Sequence, residues 1–204
     1  VIHVFVESNW VVEVCAPAFR RTPEAEALLS SAGRGEITIH VPGIAFREAR
    51  SVIRRKYQPK ESGTLQDFRR WAREQGAVTT DVDGAANEFL TLFSNTVSAD
   101  LASLDDRLHA VESSAGVNPF ALSDAMLERA LTLRDDVPDR ELGAFDEAIL
   151  AAVLVRADEL GGKSMFCTLD RDLSPVDKRG APRARLQAVY DAVGLEVRTS
   201  FDIS

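Results

Sequence analysis

The chain has 204 residues, room for one domain of roughly 150 residues with an embellishment rather than two large domains. Hydrophobic residues make up 45% and charged residues 27%, which excludes wholesale disorder and supplies a core without metal or disulfide staples. The net charge of −8 argues against a general DNA-coating protein, which is usually basic, and does not exclude a nuclease, whose site is often built on clustered carboxylates.

The longest apolar run, Ala148 to Val155, is far short of the roughly 18 residues of a membrane span. The opening residues Val1 to Val6 lack a basic segment, so no secretory signal is expected. Cys15 and Cys167 each lie in an apolar stretch and read as small core hydrophobes of a cytoplasmic protein.

In chain order, Ile2–Val6 reads as a buried parallel strand that stops at Glu7. A helix over Trp10–Cys15 follows, with Ser8 or Asn9 as its cap. Thr22-Pro23-Glu24 starts a second helix that Gly33 and Gly35 end. Ile37–Val41 is a second strand, Pro42-Gly43 its turn, and Ile44–Lys56 a helix. Leu65–Gln75 is amphipathic.

From Val82 to about Arg134 the apolar residues step by three and four. This predicts a helical hairpin with Gly116-Val117-Asn118-Pro119 as its turn. Asp146–Leu160 is a helix, Ser164–Thr168 a strand, Arg183–Val193 a helix and Leu195–Arg198 a last strand. Alternating strands and helices imply a mostly parallel sheet with helices on both faces. The expected layout is a single domain over 1–204, with a core at 1–60 and 140–204 and a strand-free helical insertion over about 64–135.

In open α/β sheets ligands bind beyond the carboxyl ends of the strands. Glu7 and Asp170 sit at two such ends. Taken singly, each acid has an ordinary reading: Glu7 and Asp146 as helix-terminal carboxylates, Glu48 as an ion-pair residue, Asp170 and Asp172 as turn residues. Taken together, they form an ordered set. Val-Phe-Val-Glu-Ser-Asn (4–9), Val-Pro-Gly-Ile-Ala-Phe-Arg-Glu-Ala (41–49), Phe-Asp-Glu-Ala-Ile-Leu-Ala-Ala-Val (145–153) and Phe-Cys-Thr-Leu-Asp-Arg-Asp-Leu (166–173) follow one another in that order.

This series resembles the PIN-domain family, which includes the VapC-like metal-dependent ribonucleases. The resemblance covers 1–56 and about 140–200. It implies an α/β, three-layer PIN-like fold and a Mg²⁺- or Mn²⁺-dependent endoribonuclease, in a toxin–antitoxin setting with an antitoxin or other protein partner and a homodimer. Glu7, Glu48, Asp146 and Asp170 are the implied catalytic residues and, with Asp172, the metal ligands. Asn9 and Thr168 are the implied supporting or phosphate contacts.

The family's first acid is usually Asp, and here it is Glu7, one methylene longer, which matters to an octahedral ion. Glu147, Asp135, Asp136 and Asp139 lie near the third position and compete for it.

The chemistry fits such a set. Carboxylates gathered in one pocket ionise together mainly around a cation. An all-oxygen donor set without a His/Cys cluster points to Mg²⁺ or Mn²⁺. RNA needs cations nearby, and Arg47, Arg50, Arg54 and Arg55 run along one helix, followed by Lys56, Lys60, Arg69, Arg70 and Arg73. Tyr57 and Trp71 offer stacking surfaces, with a place in the core as the favoured alternative for Trp71. Ser8 has no His partner to make it a nucleophile, His109 included.

The competing readings are a catalytically degenerate PIN-like RNA- or protein-binding module, favoured by Glu7, and a phosphohydrolase. The second lacks the Asp-x-Asp that such enzymes place after their first strand.

Overall fold

The computed structural model describes residues 2–57, 63–76, 80–137, 142–177 and 179–203. Five strands, all parallel, form the centre: β1 (Ile2–Val6), β2 (Ile37–Pro42), β3 (Val117–Phe120), β4 (Ser164–Cys167) and β5 (Leu195–Arg198), in the order β3-β2-β1-β4-β5. The register pairs Phe5 with His40 and with Phe166 across β1.

The helices are α1 (Ser8–Cys15), α2 (Pro23–Gly33), α3 (Gly43–Tyr57), α4 (Gly63–Glu74), α5 (Thr80–Ala102), α6 (Leu104–Glu112), α7 (Asp124–Asp136), α8 (Ala144–Leu160) and α9 (Ala184–Ala192). The protein is therefore a three-layer α/β fold around a parallel sheet, as the sequence implies.

Parallel connections are right-handed. The chain moves one way from β1 to β2 to β3, and the other way from β4 to β5. Right-handed crossovers then put α1–α6 on one face and α7–α9 on the other. The contacts of α1 with α3 and α6, and of α7 with α8 and α9, follow that division. The direction reverses between β1 and β4, so their carboxyl ends frame the crevice where such sheets bind ligands.

The core explains the helices. In α8, Ile149 to Leu154 are all buried, as expected of a helix that is apolar all round. Trp10 of α1 is fully buried, and its indole N–H donates to the Ala25 carbonyl, 3.3 Å away.

The span expected to be strand-free departs from that expectation. Gly116-Val117-Asn118-Pro119 is not a hairpin turn: Val117–Phe120 is β3, paired in parallel with β2. Pro119 is tolerated because β3 is an edge strand, with one side that needs no ladder donor. Leu104, Leu108 and Val111 of α6 and Leu133 of α7 join the same core as β1 and β4.

Candidate active site

β1 ends at Val6, and Glu7 turns the chain into α1. Glu7 is 2% exposed. One carboxylate oxygen accepts from the Asn9 backbone N–H at 2.7 Å and the Ser8 hydroxyl at 3.2 Å. The other accepts from the Thr168 hydroxyl at 3.2 Å and the Leu169 N–H at 3.4 Å. The Asn9 side chain also faces it. Burial pushes the Glu7 carboxyl above its ordinary value, and these hydrogen bonds oppose the shift. Glu7 thus clips the end of β1 to the end of β4.

Thr168 passes the clip onward. Its hydroxyl oxygen accepts from the Asp170 N–H at 2.9 Å, and an Asp170 carboxylate oxygen accepts from the Asp172 N–H at 2.6 Å. The segment after β4 is thereby wound into a tight turn carrying two acids.

Asp146 meets these acids from α8. It is the third residue of the helix, and its carboxyl reaches back to the N–H of the cap residue Gly143, half of a capping box. Its pKa is raised, first by burial, then by Asp170 and Glu48, and least by Asp172. Glu48, on α3, has one carboxylate oxygen (Oε2) that is buried with no hydrogen-bond partner.

The structure therefore brings Glu48, Asp146, Asp170 and Asp172 into one electrostatic neighbourhood. It holds Glu7 beside them, in a pocket of its own hydrogen bonds. Glu147 is drawn away by Arg134, at 2.6 Å, and Asp136 by Arg129. Asp139 lies outside the described residues.

Among the described residues, no three His, Cys, Asp or Glu groups stand ready at metal-ligand spacing. The donors still suit a hard divalent cation. They are all oxygens, burial and the nearby Asp170, Glu48 and Asp172 raise the proton affinity of Asp146, and one Glu48 oxygen is buried without a hydrogen-bond partner.

The basic helix face is partly spoken for. Arg50 grips Asp105 of α6 with two nitrogens, and Arg54 reaches the same carboxylate at 3.2 Å. Arg47 and Arg55 are exposed beside them. The Lys56 ammonium lies over the Tyr57 ring, 5.4 Å from its centre. Arg70 pairs with Asp67, and Trp71 is 55% exposed rather than in the core, while its neighbour Ala72 is buried. Lys60 and the Arg69 side chain are outside the described residues.

Sequence reasoning missed Asp105, whose distance along the chain hides its pairing, and Gly143, whose place three residues before Asp146 was the available signal.

No protein-family model matches the chain, and no curated protein matches it. Among solved structures, FitAcB from Neisseria gonorrhoeae aligns with it at a TM-score of 0.40 and 14% identity, over 95% of each chain.

Proposed function

We propose that this chain is a PIN-like, metal-dependent endoribonuclease, acting at the carboxyl ends of β1 and β4. One observation carries the reading. Asp146 is pushed towards its protonated form first by burial and then by Asp170, Glu48 and Asp172, while Glu48 buries an unpartnered oxygen beside it. Such a cluster is costly alone and is relieved by a divalent cation.

Glu48, Asp146 and Asp170 would hold Mg²⁺ or Mn²⁺, with Asp172 through water or directly. A bound ion would lower the pKa of an attacking water and offset charge on the scissile phosphate. Gly143 fixes the aim of Asp146, and Thr168 fixes the turn that carries Asp170. Glu7, whose two oxygens are spent on four donors of its own chain, acts in this reading as the positioning residue for that turn. Arg47 and Arg55 steer the RNA backbone. A toxin–antitoxin setting, an antitoxin partner and a homodimer belong to the same proposal.

One observation favours the second reading, a binding module without catalysis: both Glu7 oxygens are already satisfied. Incubating a labelled RNA pool with Mn²⁺, Mg²⁺ or EDTA separates the two. Wild type should cleave, EDTA should stop it, and Asp146→Asn should lower the rate at least about a hundredfold. RNA binding without cleavage under any metal would move the chain to the second reading. Equal cleavage by both proteins would remove Asp146 from the site.

A further inference from the structure

A groove of about 580 Å³ lies between α3, α6 and the segment after β3, within the range of small-ligand sites. Phe46, Leu108 and Leu122 give it apolar walls, and Arg47, His109 and Glu112 line it as polar groups. The Arg50–Asp105 pair also lines it. A simple anion would meet Asp105 and Glu112, and a simple cation would meet Arg47 and Arg50. A flat heteroaromatic ring with donors and acceptors on its edge suits both the apolar surface and the mixed polar groups.

Helical periodicity ties the groove to the carboxylates. At about 100° per residue, Gly43, Arg47, Arg50 and Arg54 share the groove flank of α3, and Glu48 lies about 100° round from Arg47. From Arg47, at the edge of the groove flank, an exposed band through Ser51 and Arg55 turns towards the Glu48 side. Among the described residues, the ion pairs of this helix take Arg50 and Arg54 and leave Arg47 and Arg55 for a ligand.

We infer that the groove seats one unpaired base of a single-stranded RNA whose backbone crosses α3 at Arg47 to reach Glu48 and Asp146, with Arg55 about 12 Å further along the helix for a more distant phosphate. This substrate class rests on the ribonuclease reading, and binding tests it separately from cleavage.

The probes are labelled single-stranded RNA of about ten nucleotides, one of each base, a fully abasic ribose-phosphate chain of equal length, and a duplex. Fluorescence anisotropy is measured on Asp146→Asn, which holds cleavage off, with and without Leu122→Trp, which fills the groove. The best base-containing strand should bind about tenfold tighter than the abasic chain and the duplex. Leu122→Trp should reduce it to the abasic level with the melting midpoint unchanged.

Equal binding of abasic and base-containing strands, or of duplex and single strand, would overturn the inference, as would an inert Leu122→Trp. If Leu122→Trp lowers the melting midpoint, nucleoside monophosphates titrated into wild type decide by NMR. Shifts confined to Ile44, His109 and Leu122 support the groove, and their absence refutes it. Base discrimination without cleavage would sink the ribonuclease reading and keep the groove; cleavage without discrimination would do the reverse.

Discussion

His40 is 1% exposed on β2, with its ring 2.9 Å from the His3 ring nitrogen and 3.4 Å from the Asn118 amide. Burial, with His3 and Arg156 adding repulsion, lowers its pKa from 6.5 to about 4. Between those values the unfolded chain binds a proton that the folded chain refuses. Stability is therefore present above about pH 6.5 and is lost as pH falls towards 4, by on the order of 3 kcal/mol. Denaturant unfolding at both ends of that window should show His40→Gln losing less than wild type by about that amount; equal losses would clear His40. In the proposed site Gly143 would set the aim of Asp146 rather than add stability. Its φ of −64° suits alanine, but a Cβ there would stand 2.9 Å from an Asp146 carboxylate oxygen. Gly143→Ala should cut RNA cleavage about tenfold or more by displacing that carboxylate, while the melting curve barely moves. Undiminished cleavage would show that the aim of Asp146 does not matter.

Elements differ in how plainly the sequence announces them. β1, β2, β4 and β5 are short runs rich in apolar residues, and a buried parallel sheet needs little else. β3 is not legible, because Val117-Asn118-Pro119-Phe120 has the composition of a turn and becomes a strand only through pairing with β2. The entry to β3 shows what holds it. Gly116 has φ of +77°, its carbonyl accepts from the Ile39 N–H at 2.8 Å, and an added Cβ would fall 2.3 Å from the Ala32 carbonyl oxygen. Gly116→Ala combines backbone strain with a clash against backbone and should cost about 3 kcal/mol or more. Urea unfolding measures it, and a loss under about 1 kcal/mol would mean that α2 and β3 separate easily. The carboxylates follow the same divide. Asp170 and Asp172 stand out in the sequence because they follow a strand, and Asp146 because it opens a helix, whereas Glu48, mid-way along α3, is marked only by the resemblance of its segment. The Glu7 clip to Thr168 and Leu169, and the capture of Arg50 and Arg54 by Asp105, depend on contacts between residues far apart in sequence.

At the scale of the whole molecule, the proposed function requires a protein of net charge −8 to bind RNA through a local field. The parallel sheet gathers the strand ends, the acids and α3 at one edge, so the cations of α3 lie beside carboxylates whose charge they partly offset. What decides their use is which arginines are free to exchange counterions with RNA. Arg50 and Arg54 already share Asp105, while Arg47 and Arg55 stand on the exposed band. For single strands, each phosphate neutralised contributes about 0.7 to the slope of log affinity against log salt. Measured on Asp146→Asn, Arg47→Ala and Arg55→Ala should each reduce that slope by about 0.7 and together by about 1.4. Arg54→Ala should leave the slope near the parent's, since its charge is already balanced by an exposed ion pair. Asp105→Asn should steepen the slope by releasing both partners. A slope that falls as far for Arg54→Ala as for Arg47→Ala would mean that RNA displaces Asp105. The ion pair would then be a gate on the cationic face rather than a fixed part of it.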